Sequence, residues 1–244
     1  MTNTPYFRAD LAWIHDVGFA RHAQECAPGI LALLEPVLAA GGTVVELACG
    51  SGLLTEHLLD AGHRVLATDA SPAMLDIAKV RAPGAELRLL VMPDDPMPLA
   101  DAVVSIGHGI SYLPDEDAVE RAFRNAARAL RPGGILAIDV CDLRYGEFRR
   151  NAPNFSRAGD DWAIITAYEQ PTPARFVRRM ATFVRNDDGS WRRDDERHDN
   201  VLIDTALAPV WLAEEGVDAV VGTSFGHETL PVGLMTVVGR KRDA

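Results

Sequence analysis

The chain has 244 residues and a formal net charge of −11, with hydrophobic residues at 48% and charged residues at 24%. This balance supplies a good-sized core, contains no apolar run of membrane-spanning length, and surrounds the protein with a negative field that opposes nucleic-acid phosphates as partners. Cys26, Cys49 and Cys141 have no metal-finger or redox spacing and read as buried thiols, and the start MTNTPYFRADLAWIHD lacks the pattern of a signal peptide, which points to a cytoplasmic protein.

Residues 1–42 are expected to form a helical cap. Leu11, Ile14, His15 and Phe19 fall near one face; Ile30, Leu31, Leu33, Leu34, Val37 and Leu38 follow a break expected at Pro28-Gly29. From Thr43 to Cys141 short apolar runs alternate with amphipathic ones. Strands are expected at 43–48, 64–69, 87–91, 102–107 and 135–140, and helices at 53–61, 72–81 (with Ser71 as cap) and 115–130. Apolar strands separated by helices indicate a parallel sheet covered on both faces, a doubly wound α/β core. The rhythm changes over 142–204. Runs at 162–169, 175–185 and 191–202 read as three antiparallel strands, the last two joined at Asn186-Asp187-Asp188-Gly189. In the second of them Phe176, Arg178, Met180, Thr182 and Val184 face one way. Residues 205–244 return to a helix at 206–215 and strands at 217–225 and 234–240. The whole reads as a single domain with a β insertion before its last helix.

The informative stretch is Glu46-Leu47-Ala48-Cys49-Gly50-Ser51-Gly52, where the first strand runs into a helix. Gly50 and Gly52 remove side chains where a ligand must approach the backbone, and the helix start offers free N–H groups. By itself such a turn is equally served by a tight bend that merely needs glycine. Asp69, ending the second strand about 20 residues beyond the loop, strengthens the ligand reading, because its carboxylate there can accept both ribose hydroxyls of an adenosine. Glu46 stands where a carboxylate can hold the amino-acid end of a ligand. This acidic lining suits a cation better than the pyrophosphate of NAD.

ELACGSG (46–52), ATDASPAMLDIAK (67–79) and LRPGG (130–134) resemble, in order, the motifs of the class I S-adenosylmethionine-dependent methyltransferases, with Ala48 in the place of the first motif's first glycine. The whole chain is similar to the bacterial small-molecule N- or O-methyltransferases of that class. The resemblance implies a Rossmann-like sheet with S-adenosylmethionine as cofactor. Asp69 would bind the ribose, Gly50 and Gly52 would pass beneath the methionine part, and Ala70 or Ser71 would border the adenine. The acid that often follows the third strand to meet the adenine is missing; Val91 or Met92 stands there, Met92 able to pack on the ring, with Asp94 a weaker substitute. Gly107 would bring backbone towards the methionine amine, and Tyr6 and His15 of the cap would border the cofactor.

Methyl transfer mainly needs alignment of acceptor, methyl and sulfur, with a base where the acceptor must lose a proton. His108 and Tyr112, after the fourth strand, and Asp142, after the fifth, are the candidates, with Asp142 set above Asp139, which is expected to bond backbone. His198 is read as part of a solvated strand with cross-strand ion pairs, and His227 as peripheral. Phe155, Trp162 and Phe176 are read as packing before pocket wall. No metal site is expected. The expected partner is a small-molecule acceptor, with no nucleic acid and no membrane, in a monomer or homodimer. The competing readings are an NAD(P)-dependent oxidoreductase and a non-catalytic module that binds S-adenosylhomocysteine. The acceptor's identity, and nitrogen against oxygen, stay open at this point.

Overall fold

The computed structural model describes residues 6–150 and 152–243. The first five residues of the expected helical cap, Asn151 of the expected insertion and Ala244 lie outside them. In chain order the elements are α1 (Ala9–Gly18), α2 (Arg21–Ala39), β1 (Thr43–Leu47), α3 (Leu53–Asp60), β2 (Arg64–Asp69), α4 (Pro72–Arg81), β3 (Glu86–Leu89), β4 (Ala100–Ser105), α5 (Glu116–Ala129), β5 (Leu130–Cys141), α6 (Leu143–Arg150), β6 (Phe155–Ala158), β7 (Trp162–Thr172), β8 (Arg175–Arg185), β9 (Trp191–Val201), α7 (Ala208–Glu214), β10 (Val217–Gly222) and β11 (Leu234–Lys241).

Seven strands form one sheet in the order β10-β11-β5-β4-β1-β2-β3. Strands β3, β2, β1, β4 and β5 are parallel, and β11 enters antiparallel between β5 and β10. The β-branched, non-alternating runs Val44-Val45 and Val103-Val104 are buried on both faces, as a covered parallel sheet requires. One face packs under α5 and α7 through Phe123, Trp211 and Leu212; the other packs under α2 and α3 through Ile30, Leu34, Leu54 and Leu58. The chain reverses its direction of travel through the sheet between β1 and β4, and the crevice outside their carboxyl ends is where such sheets bind ligands.

The helix break expected at Pro28-Gly29 lies instead at Phe19-Ala20, and α2 runs unbroken with Pro28 and Pro36 inside it. An interior proline costs a helix about 3 kcal/mol. Here Cys26, Ala27, Ile30 and Leu34, all essentially fully buried, hold the helix on the sheet. Gly29 serves close approach: a Cβ there would meet the backbone of Phe225 and Gly226 at 2.7 Å.

The insertion is also larger than expected. It opens with a helix, α6, and its antiparallel sheet has four strands in the order β6-β7-β8-β9. The expected alternation holds in β8, where Phe176, Met180, Thr182 and Val184 are buried, although Val177 on the other face is buried too. Helix α1 packs on this second sheet through Leu11 and Ile14 against Trp162, Ile164, Met180 and Val184, so Trp162 is packing. Phe155 is partly exposed beside Phe19. Among the described residues no helix is long and apolar enough to cross a membrane.

Candidate functional site

At the carboxyl end of β1 the chain makes three left-handed residues within five: Ala48 (φ 52), Gly50 (φ 56) and Gly52 (φ 82). Glycine meets that requirement without strain, whereas an alanine pays roughly 1–2 kcal/mol for it. Ala48 is accommodated by a distant residue. A Cβ built on Gly109 would fall on the Cβ of Ala48 well inside contact distance, so the methyl missing from Gly109 makes room for the one added at position 48. Gly52 is also held by packing, since a Cβ there would press on Ala78 of α4 at 3.2 Å.

Asp69 closes the turn. Its Oδ2 accepts from the Gly50 amide at 2.8 Å and its Oδ1 from the Ser71 amide at 2.8 Å. Ser71 caps α4 by accepting from the Met74 amide. No cation pairs with Asp69 among the described residues, and burial pushes its carboxyl above the usual range against the pull of those amides. Carboxylate oxygens have lone pairs to spare, so two further hydroxyl donors can be accepted beside the amides. Ala70 is exposed next to it. Glu46, expected to face a ligand, is instead turned inward. It is 2% exposed, its Oε2 accepts from Thr55 Oγ1 of α3 at 2.6 Å, and burial raises it to about 8. Its side chain braces the helix behind the loop because the strand places it on the covered face.

Beyond β4 a second left-handed pair, Gly107 (φ 78) and His108 (φ 53), is held by one buried acid. Asp139 on β5 accepts from the Gly107 amide at 2.9 Å and the His108 amide at 2.6 Å, and meets His22 Nε2 of α2 at 2.9 Å. Burial opposes the charged form of His22, but hydrogen bonds to Asp139 and Cys26 outweigh it and raise the imidazole to about 10. A histidine raised in the folded state stabilises the fold fully below its unfolded value near 6.5 and loses that contribution as pH rises through its folded value. The stability lost in His22→Gln, measured by urea titration, is therefore expected to be largest at pH 6 and to shrink steadily toward pH 10. A loss that does not change with pH would show His22 to be neutral.

Next to this turn lies a cluster of aromatic side chains, the aromatic chamber. The His108 ring stacks on Tyr112 with centroids 5.6 Å apart and lies 5.9 Å from Tyr145. Burial, then the charge of Arg178, hold His108 well below its usual value, and its Nδ1 is buried without a partner. A polar chain crosses from the small sheet: Arg178 donates to the Tyr112 hydroxyl, that hydroxyl lies 3.3 Å from His198 Nδ1, and His198 Nε2 meets Glu196 Oε2 at 2.8 Å. With the Tyr112 oxygen accepting from Arg178, its proton points to His198 Nδ1, which leaves Nε2–H to donate to Glu196. Glu196 also accepts from the amides of Phe7 (2.9 Å) and Arg8 (2.8 Å), while Ser71 Oγ donates to the Phe7 carbonyl at 2.8 Å. The segment Tyr6-Phe7-Arg8 is thus a strap fastened at one side to the insertion and at the other to the cap of α4, with the Tyr6 ring 5.2 Å from Tyr112 and 4.7 Å from His198.

Several sequence expectations are rearranged here. The structure gathers Asp69, Gly50 and Ser71 in one place, and His108, Tyr112 and Tyr6 in an adjoining one. His15 points inward against Phe7 and Phe19, and burial lowers it to about 4. Asp142, ranked above Asp139, is spent elsewhere: its oxygens accept from Thr205 Oγ1 at 2.7 Å and from Arg144 Nε at 2.8 Å, so it fastens the start of α6 to the segment before α7. His198, read as solvated, is fully buried. The ion pairs on the outer face of β9 run along the strand, Arg193–Asp195 and Arg197–Asp199, instead of across to a neighbour, while Glu196, His198 and Asn200 alternate inward. Met92 is half-buried against the core under α5, Asp94 is exposed, and it is Asp95 that ties the loop by accepting from the Val91 amide at 2.7 Å. His227 is exposed. Sequence reasoning missed His22, Tyr145, Arg149, Glu196 and, as a pocket group, Arg178.

Residues 44–134 match the family model described as a methyltransferase domain. A methyltransferase-family protein of Geobacillus sp. (strain WCH70) is 26% identical over 179 residues, covering 71% of this chain and 72% of its own length. Among solved structures, DesVI of Streptomyces venezuelae superposes with a TM-score of 0.79 at 19% identity, over 98% of this chain and 100% of that one. The sugar N-methyltransferase KedS8 of a Streptoalloteichus species gives 0.76 at 21% identity, over 100% and 98%. The shared fold therefore includes the insertion as well as the doubly wound core, and the family match favours the adenosylmethionine reading over the nicotinamide one.

Proposed function

We propose that this chain, which belongs to the S-adenosylmethionine-dependent methyltransferases, holds that cofactor on the turn between β1 and α3 and methylates a nitrogen of a small polar acceptor seated in the aromatic chamber. The observation that carries the reading is Asp69: a largely buried carboxylate clipped to the glycine turn by two amides, with no cation to neutralise it among the described residues. It would accept the ribose hydroxyls. The backbone from Ala48 to Gly52 would lie beneath the methionine portion, Ala70 and Ser71 beside the adenine, and Gly107 and Tyr6 over the reacting end. When bound, the cofactor supplies a methyl group already activated by its sulfonium. The chain's own task is to align an acceptor with it and to keep water out.

His108 is suited to the alignment. Held neutral by burial, its imidazole can accept an N–H from the acceptor and turn the lone pair toward the methyl. So low a basicity is poorly matched to deprotonating a hydroxyl, whereas an amine that has lost its proton to solvent needs only orientation. The sugar N-methyltransferase among the structural relatives supports the same choice. Tyr112 and the strap would wall the chamber.

Calorimetry with S-adenosylhomocysteine and with NAD, followed by mass spectrometry of an amine panel incubated with S-adenosylmethionine, tests this reading. Binding of the former alone and a gain of one methyl are expected. Tight NAD binding would overturn the cofactor assignment, and intact cofactor binding without methylation of any amine would favour a non-catalytic binding module. His108→Ala is expected to lower kcat about tenfold to a hundredfold while leaving affinity for S-adenosylhomocysteine unchanged; an unchanged kcat would remove it from the site.

A further inference from the structure

The chamber contains two arginines that no acid among the described residues neutralises. Arg8, Arg81, Arg124, Arg144, Arg179 and Arg192 each sit on a carboxylate, as expected in a chain of net charge −11. Arg178 and Arg149 do not. Arg178 lies 5.4 Å from the centroid of Tyr112, and Arg149 lies 5.4 Å from that of Tyr145 and 5.7 Å from that of Tyr168. Tyr168 pairs with Arg178 across the β7–β8 ladder, so both guanidinium groups stand on one wall. The titratable groups acting most on Arg178 are the phenols of Tyr112, Tyr145 and Tyr168 and the thiol of Cys141.

The Nε atoms of both arginines are buried and unbonded. The acids that line the chamber are already committed, Glu196 to His198 and the strap, and Asp139 to His22 and the Gly107 turn. Both residues are half-buried, and a guanidinium partly withdrawn from water without a counter-charge is disfavoured, so a ligand that brings negative oxygens would balance the arrangement. His108 stacks on Tyr112 and meets Tyr145 at a tilt, and these are the rings over which the two arginines lie.

We propose that Arg149 and Arg178 form an oxyanion subsite that clamps a carboxylate or phosphate carried by the methyl acceptor, so that the substrate is a small amine bearing an oxyanion a few atoms from its nitrogen. The inference rests on reading the chamber as the acceptor site. Aromatic faces position the two forks, and bidentate contacts fix the distance from the anion to the amine at His108.

The test uses the full chain saturated with S-adenosylhomocysteine and three probes of similar size: 2-aminoethanol, β-alanine and 2-aminoethyl phosphate. Calorimetry is expected to show the anionic probe of the right kind binding at least about tenfold more tightly than 2-aminoethanol. The carboxylate and phosphate arms identify the source of the oxyanion. Arg178→Gln and Arg149→Gln should each abolish the preference, Arg178→Lys should keep part of it, and all three variants should bind S-adenosylhomocysteine as the parent does, which separates a lost subsite from a lost fold. Equal binding of the three probes, binding of none at millimolar concentration, or a preference untouched by both glutamine substitutions would overturn the proposal. Failure of the parent to bind S-adenosylhomocysteine would instead strike at the cofactor reading, and the same probe series run without it would still decide the subsite.

Discussion

Asp69→Ala is expected to weaken binding of S-adenosylhomocysteine by about 3 kcal/mol, roughly a hundredfold in Kd, because hydrogen bonds to a charged group are worth about 1.5–3 kcal/mol each and two ribose hydroxyls would lose theirs. The loop loses its clip in the same step, since the Gly50 and Ser71 amides both terminate on this carboxylate. Asn is no conservative replacement. Each carboxylate oxygen already accepts from an amide, so Asp69→Asn must turn an NH2 toward one of the two donors, and it should bind the ligand nearly as poorly as the alanine variant. Calorimetry decides this, and parental affinity in either variant would refute the ribose assignment.

Gly109→Ala is expected to destabilise the protein by about 2 kcal/mol or more, the scale of overpacking a tight interior, and to disorder the cofactor turn. The new methyl would collide with that of Ala48. Ala48→Gly should restore the double variant to near-parental stability, because it removes the colliding atom and relieves a left-handed alanine of about 1 kcal/mol of strain. The single Ala48→Gly change should have a small effect, strain relief being offset by the greater entropy of an unfolded glycine. Urea titration of the four proteins gives the coupling directly. Losses that simply add would mean the two methyl positions do not meet in solution.

The pairing of Ala48 with Gly109 also shows where reading along the chain stops. The departure of Ala48 from the glycine pattern is plain in the sequence, and so is the glycine at 109, but nothing local connects them. Similarly, the run from Arg192 to Asn200 reads as a solvated strand because its inward residues, Glu196, His198 and Asn200, are as polar as its outward ones. Alternation exposes a buried face only when that face is apolar. Tyr145 and Arg149 sit in a stretch with no period to mark it as α6, since only Tyr145 and Gly146 of that helix are buried. Ranking Asp142 above Asp139 failed for a related reason. Neighbouring positions at a strand end look equivalent until the helix packed opposite, α2 with His22, is in place.

The features legible along the chain were local: β-branched runs long enough to be strands, Ser71 as a helix cap, glycines where the backbone must bend tightly, and an acid at the end of β2. Each of these acts over a few residues, and each fixes a backbone path whatever lies around it. The chamber and the charge inside it depend on long-range packing. His22 meets Asp139 across 117 residues and Tyr112 meets Arg178 across 66, and polar contacts at that range leave no periodic trace, because packing, not propensity, brings the partners together.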